Sequence, residues 1–213
     1  MAGLIHGLEA ARVRANLERV RERAGPGVEI LAATKYVPLE EMGTLAEAGV
    51  TLVGENRLQD LEAKRERWDE RFEWDFIGNI QSRKLKRIIP LARLIHSVAS
   101  DSAVEQLHKH SAPDTRVLIE VNLSGEASKG GVPPARLGEF AERCPAVEGL
   151  MTMPPFTEDP EASRPYFARL AELAAEHGLK QLSMGTSQDW RVAAEEGATI
   201  VRLGTALYHE VEE

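Results

Sequence analysis

The chain has a single cysteine, Cys144, in 213 residues, which excludes an internal disulfide framework and makes a reducing compartment the expectation. No apolar run reaches transmembrane length. The start Met1-Ala2-Gly3-Leu4-Ile5-His6 is soon followed by Glu9, Arg12, Arg14 and Glu18, so the apolar stretch of a signal peptide is missing and a cytoplasmic location is expected. Basic residues are outnumbered 26 to 34, and the net charge of −8 offers nothing to attract nucleic acid or an anionic membrane surface. Small-molecule partners are the default. The six histidines are scattered, and His108 and His110, two apart, fall on different faces of a helix, so no metal site is expected. Cys144 reads as a small core or helix-end residue.

What the chain does have is an alternation of short apolar runs with longer, charged, periodic segments. An apolar content of 43% is enough for one good core, and residues 1–213 read as one domain. Residues 4–24 carry Val13, Leu17 and Val20 at helical spacing and stop at Gly25-Pro26-Gly27, which predicts an amphipathic helix ahead of the first strand. Eight strands are then predicted, over residues 30–35, 51–56, 74–78, 94–98, 116–123, 147–153, 181–184 and 199–203. Helices are predicted between them, including one from Leu39 to Ala48, one from Leu58 to Trp68, a basic one ending at Ile89 before Pro90, and one capped by Ser100 or Asp101. Eight βα units in a chain of this length point to an α/β fold closed as a (β/α)₈ barrel, a TIM barrel, with an extra N-terminal helix. The rival is an open, doubly wound sheet, and no G-x-G-x-x-G follows the first strand to support it.

The first strand ends on an amine, Lys35. Ligands sit at the carboxyl ends of strands in parallel α/β folds, and a lysine partly withdrawn from water there is a usable nucleophile. A solvated lysine at a strand end is the plainer alternative, and the other strand ends decide. In such barrels phosphate is held by the loops after strands seven and eight, where backbone N–H groups face the anion. Here those loops are Gly185-Thr186-Ser187-Gln188 and Gly204-Thr205-Ala206, each with a glycine for close backbone approach and a hydroxyl donor. Closure makes strand one a neighbour of strand eight, so Lys35 projects into the same mouth. An amine beside a phosphate site fits an aldehyde that carries a phosphate, and pyridoxal 5′-phosphate is such a cofactor. Arg202, at the end of strand eight, only donates hydrogen bonds; facing the pyridine nitrogen it leaves that nitrogen unprotonated and makes the ring a poor sink for carbanion electrons.

These residues stand in blocks that resemble the pyridoxal phosphate homeostasis protein family. The blocks are Leu31-Ala32-Ala33-Thr34-Lys35, Gly54-Glu55-Asn56, Phe76-Ile77-Gly78 with Gln81-Ser82 and Lys84, and Ser128-Lys129-Gly130-Gly131. They continue with Gly149-Leu150-Met151-Thr152-Met153, Leu182-Ser183-Met184-Gly185 with Ser187 and Asp189, and Val201-Arg202-Leu203-Gly204-Thr205. The resemblance runs from about residue 30 to 208 and implies the fold of the alanine racemase N-terminal domain. It further implies that Lys35 binds the cofactor, that Ser187, Gly204 and Thr205 hold its phosphate, that Arg202 faces the ring nitrogen and that Asn56 lines the pocket. The family is understood to hold pyridoxal phosphate, limit its free aldehyde and help deliver it to apoenzymes, with no established reaction. Thr186, Arg83 and Val37 depart from the residues common at those positions in the family.

Two enzyme alternatives share the barrel and the lysine. An amino-acid racemase needs a second base, which in that resemblance is a tyrosine on an additional C-terminal β domain; nothing of that kind precedes Glu213, so a binding role and a monomer are the expectations. A Schiff-base aldolase also places a lysine beside a phosphate site, and carbon–carbon cleavage without added cofactor distinguishes it. The basic run Arg83-Lys84-Lys86-Arg87 reads as a solvated helix face or a collector of anions, and Lys129, in its glycine-containing loop, as a lid or transfer residue.

Overall fold

Each apolar run becomes a strand of four to six residues, and the strands close on themselves. The computed structural model describes residues 3–126 and 129–209. Its strands are β1 (Glu29–Ala33), β2 (Leu52–Glu55), β3 (Glu73–Phe76) and β4 (Leu94–Val98), then β5 (Val117–Glu120), β6 (Val147–Met151), β7 (Gln181–Thr186) and β8 (Ile200–Leu203). They form a closed barrel in sequence order, every neighbour parallel, with Leu31 opposite Arg202 where β1 pairs with β8. The fold is the expected (β/α)₈ barrel.

Strand alternation divides the apolar side chains into two sets. Leu31, Leu52, Leu94, Leu118, Met151 and Ile200 point inward and fill the lumen. The outward set, including Val53, Phe76, Ile95, Val117, Ile119 and Val201, packs against the surrounding helices. Those are α1 (Ala10–Ala24), α2 (Met42–Glu47), α3 (Leu58–Trp68), α4 (Leu85–Ile88), α5 (Asp101–His110), α6 (Leu137–Arg143), α7 (Arg164–Glu176), α8 (Trp190–Glu195) and α9 (Thr205–Tyr208). Among the described residues no helix is long and apolar enough to cross a membrane.

Several boundaries differ from the sequence reading for identifiable reasons. The helix expected from residue 4 begins at Ala10, because the preceding segment is tied to the loop after β1: Ile5 N donates to Tyr36 O at 2.8 Å and Gly7 N to the Glu41 carboxylate at 2.7 Å. Strand five stops at Glu120 rather than at residue 123. The Asn122 side chain donates to the carbonyls of Glu126 and Lys129, which turns the chain into its glycine-containing loop. Ala127 and Ser128 of that loop lie outside the described residues. Strand seven runs two residues further than expected, to Thr186, and includes Gly185, where a Cβ would stand 2.5 Å from the Ala193 Cβ; only glycine lets β7 press so closely on α8. The basic segment after β3 is three short helical turns, with α4 flanked by 3₁₀ turns and Pro90 inside the last. Ser100, not Asp101, caps α5, accepting from Ala103 N at 3.2 Å. Cys144 ends α6 buried as expected, and burial pushes its thiol up to about 12.

Candidate functional site

The carboxyl ends of the strands surround a cavity of about 560 Å³. All six residues singled out from sequence line it: Lys35, Asn56, Ser187, Arg202, Gly204 and Thr205. Lys35 is exposed, not partly withdrawn as expected. Strand β1 ends at Ala33, and the turn that follows carries Lys35 and Tyr36 to the rim, with Nζ 5.0 Å from the centre of the Tyr36 ring. Beneath it the chain is tightly held. Lys64 of α3, nearly buried, donates to Thr34 O at 2.8 Å and pairs with Glu55, while the Thr34 hydroxyl donates to Glu55 Oε1 at 2.6 Å. Burial raises the Glu55 carboxyl above the usual range despite Lys64, and its Oε2 has no partner among the described residues. Asn56 sits against Gly78, where a Cβ would fall 2.0 Å from Asn56 O, so the approach of these two strand ends requires glycine.

The loops after β7 and β8 meet at one oxygen. Ser187 Oγ accepts from Gly204 N at 3.0 Å and Ala206 N at 3.1 Å. Thr205 is exposed beside them, at the start of α9. The Thr186 hydroxyl, expected to face a phosphate, instead donates to Asp189 Oδ1 at 3.0 Å, as does its N–H at 2.7 Å. Asp189 is buried and also accepts from Ser163, so it braces the strand-seven loop from behind. Helix α1 braces the other loop, since Asn16 Nδ2 donates to the carbonyls of Leu207 and His209.

Arg202 rises from β8 inside the barrel, only 6% exposed. Its Nη1 donates to Ser183 Oγ at 2.6 Å and its Nη2 to Thr152 O at 3.0 Å. Burial lowers the guanidinium to about 10 against the pull of Asp189 and Glu120, so it remains a cation near neutrality. Burial raises the Glu120 carboxyl, opposed by Arg202.

In sequence the chain matches the model of the alanine racemase N-terminal domain family over residues 8–211. A pyridoxal phosphate homeostasis protein of Aquifex aeolicus (strain VF5) is 42% identical over 218 residues, covering 94% of this chain and 96% of that one. The chain belongs to the pyridoxal phosphate homeostasis protein family. A second member of that family, from Pseudomonas aeruginosa, is 37% identical over 212 residues, covering 93% of this chain and 92% of its own. Among solved structures, PipY of Synechococcus elongatus PCC7942 superposes with a TM-score of 0.83 without pyridoxal phosphate, at 30% identity, covering 92% of this chain and 100% of that one. PipY with pyridoxal phosphate bound gives 0.80 at 29% identity, over the same shares of the two chains. Alanine racemase from Corynebacterium glutamicum, at 18% identity, shares the fold with a TM-score of 0.77, and this chain spans 97% of itself and 64% of that enzyme.

The cavity of this family member has further lining residues to which the sequence reading assigns no site role, among them Ile77, Asn79, Phe156 and Tyr208, whose hydroxyl donates to Ala33 O at 3.2 Å. Nor does that reading assign a role to the buried polar groups Asp75, His96 and Ser183. A signal was present for those three, since each is a polar residue in the interior of a strand whose other side chains include core residues, where burial is costly unless a partner waits. Of the basic run, Arg87 is not a freely solvated charge: its Nη2 donates to both carboxylate oxygens of Glu62 of α3 at 2.7 Å, and its Nε to Oε1 at 3.1 Å.

Proposed function

We propose that the chain binds pyridoxal 5′-phosphate and takes part in intracellular cofactor homeostasis, buffering or delivering it, without a catalytic reaction of its own. The observation that carries this reading is the meeting of three chemistries in one cavity: a primary amine, a convergent pair of backbone N–H groups beside two hydroxyl residues, and a buried guanidinium. The relatives' shared name and the cofactor bound to PipY support it. When bound, pyridoxal phosphate supplies an aldehyde that condenses with a primary amine and loses water.

The chain's own residues supply the rest. Lys35 is the amine, holding the cofactor as a Schiff base; it is the one lysine among the described residues lining this cavity. Gly204 N and Ala206 N already converge on a single oxygen, and with the hydroxyls of Ser187 and Thr205 they make the donor set a phosphate monoester takes. Asn56 lines the wall. Arg202 faces the ring nitrogen and, unable to accept a proton, leaves that nitrogen bare, which disfavours carbanion chemistry and suits a carrier. The same reading takes residues 1–213 as one cofactor-binding domain, a cytoplasmic monomer, with pyridoxal phosphate-dependent apoenzymes as recipients.

The test is the absorbance spectrum of the protein titrated with pyridoxal phosphate, for wild type and Lys35→Ala, followed by borohydride reduction and peptide mapping. The expected outcome is a long-wavelength band that maps to Lys35 and disappears in the variant, with no turnover in a racemase assay. Labelling scattered over surface lysines, or an absent band in wild type, overturns the reading; racemase turnover would replace the carrier with an enzyme.

A further inference from the structure

Strand β4 is three strands from β7 and four from β8 around the ring of eight, so a side-chain bond from β4 to β7 must cross the lumen. His96 makes it. Its Nδ1 is 2.8 Å from Ser183 Oγ, and its Nε2 is 3.0 Å from Asp75 Oδ2. Asp75 in turn receives Arg93 at two points, 2.9 and 2.8 Å, and Arg93 Nη1 reaches Glu29 Oε1 at 2.8 Å. With Arg202 on Ser183, one unbroken chain of bonds runs from the mouth of the barrel to its floor. His96, Asp75 and Ser183 are each fully buried.

Elementary hydrogen-bond chemistry places the protons. A guanidinium only donates, so Ser183 Oγ accepts from Arg202. The Asp75 carboxylate only accepts, so His96 Nε2 carries the hydrogen between them. Burial holds the imidazole below its ordinary value, opposed by Asp75 and reinforced by the nearby Arg202 and Arg93, so the ring is neutral and Nδ1 is a bare acceptor. The donor left for Nδ1 is the Ser183 hydroxyl. Every bond therefore points the same way, from Arg202 toward Asp75. A serine oxygen that gives its own proton to a carboxylate-backed imidazole is a stronger acceptor for the guanidinium.

We propose that His96 is a positioning residue: through Ser183, and backed by Asp75, it locks the Arg202 guanidinium as a fixed hydrogen-bond donor to the ring nitrogen of the bound cofactor. This rests on the pyridoxal phosphate reading above. A nitrogen that accepts from a held guanidinium does not take up a proton, so the relay is what keeps the cofactor inert while it is carried. The charged groups around Arg202 are Asp189 at the start of α8 and Glu120 on β5, and those around His96 are Asp75 on β3, Arg93 before β4 and Arg202 itself.

Two measurements on the whole chain test this. In the protein without cofactor, NMR of the arginine side chains reports rotation of the Arg202 guanidinium. With ring-¹⁵N-labelled pyridoxal phosphate bound, the nitrogen shift reports the pH at which that nitrogen protonates. In wild type, slow rotation and an unprotonated nitrogen are expected. His96→Phe and, as the smaller change, Ser183→Ala should free the rotation and raise the protonation midpoint by about one pH unit, the size of one lost charge-assisted bond. His96→Gln, which keeps one acceptor and one donor, should recover part of both. Folded variants with wild-type rotation and wild-type midpoint would show that His96 only packs the core, and the proposal falls. A wild type that takes no cofactor on Lys35 overturns the binding reading instead, while the rotation measurement still decides the relay.

Discussion

The two ends of the barrel treat charge in opposite ways. At the floor, where the strands begin, charges neutralise one another: Arg93 meets Glu29 and Asp75 at 2.8 Å and Glu73 at 3.6 Å, and Arg116 meets Glu148 at 2.6 Å. Burial alone would lower Arg93, yet Asp75 and Glu29 raise it above its ordinary value. Hydrogen bonds from His96 and Arg93 likewise hold Asp75 below the usual carboxylate range, outweighing the upward push of its burial. At the mouth, the two cations Lys35 and Arg202 have no carboxylate within ion-pair distance among the described residues, and Arg202 spends its bonds on a serine and a carbonyl. A self-neutralised end leaves no net charge to offer a ligand and makes each charge depend on its partner, whereas an end whose cations lack protein anions is arranged for an anionic ligand.

That contrast can be broken most forcefully at the floor. Arg93→Met leaves the buried Asp75 carboxylate without its cation and should cost about 3–5 kcal/mol in urea unfolding. A loss under about 1 kcal/mol would mean that the floor network is ornamental. At the mouth, Ser187→Ala removes the oxygen on which Gly204 N and Ala206 N converge, and about 1–2 kcal/mol of stability is expected to go with it. Binding is expected to lose a similar amount, with cofactor affinity falling about tenfold by titration, equivalent to one lost hydrogen bond. Unchanged affinity would remove Ser187 from the phosphate contact.

A gentler probe is pH. The folded value of His96 is depressed, so the unfolded chain binds its proton more readily than the native one. Its contribution to stability is therefore fully present above the ordinary imidazole value of about 6.5 and is lost as pH falls below it. Urea midpoints should decline between about pH 7 and about pH 5, with a shallower decline in His96→Gln. Equal slopes would show that His96 does not titrate differently in the fold. The smallest change in stability is expected at Lys35, whose side chain is exposed: Lys35→Ala should stay within about 0.5 kcal/mol of wild type in the same unfolding assay. A larger loss would make Lys35 part of the scaffold and blur the distinction between the two ends.

Much of this arrangement is legible in the sequence. The strand order, the ring and the gathering of Lys35, Asn56, Ser187, Arg202, Gly204 and Thr205 follow from apolar runs that each end on a polar or glycine-containing loop. Local detail is less so. Thr186 reads as a loop hydroxyl, yet Asp189 three residues on captures it, and Lys35 reads as half-withdrawn, yet a turn two residues beyond the strand places it at the rim. Both outcomes depend on side-chain direction, to which a linear pattern is nearly blind.

The sequence by itself determined the alternation of strands and helices, and with it which residues stand at the mouth, because the periodicity of apolar residues dictates which backbone each segment adopts and where it ends. Only the tertiary structure decided what the inward polar residues do. Asp75, His96, Ser183 and Arg202 are far apart in the chain and none lies in a shared local motif; closure of the ring brings β4 across from β7, and the low-polarity lumen then compels each buried group to find the partner that the opposite wall presents.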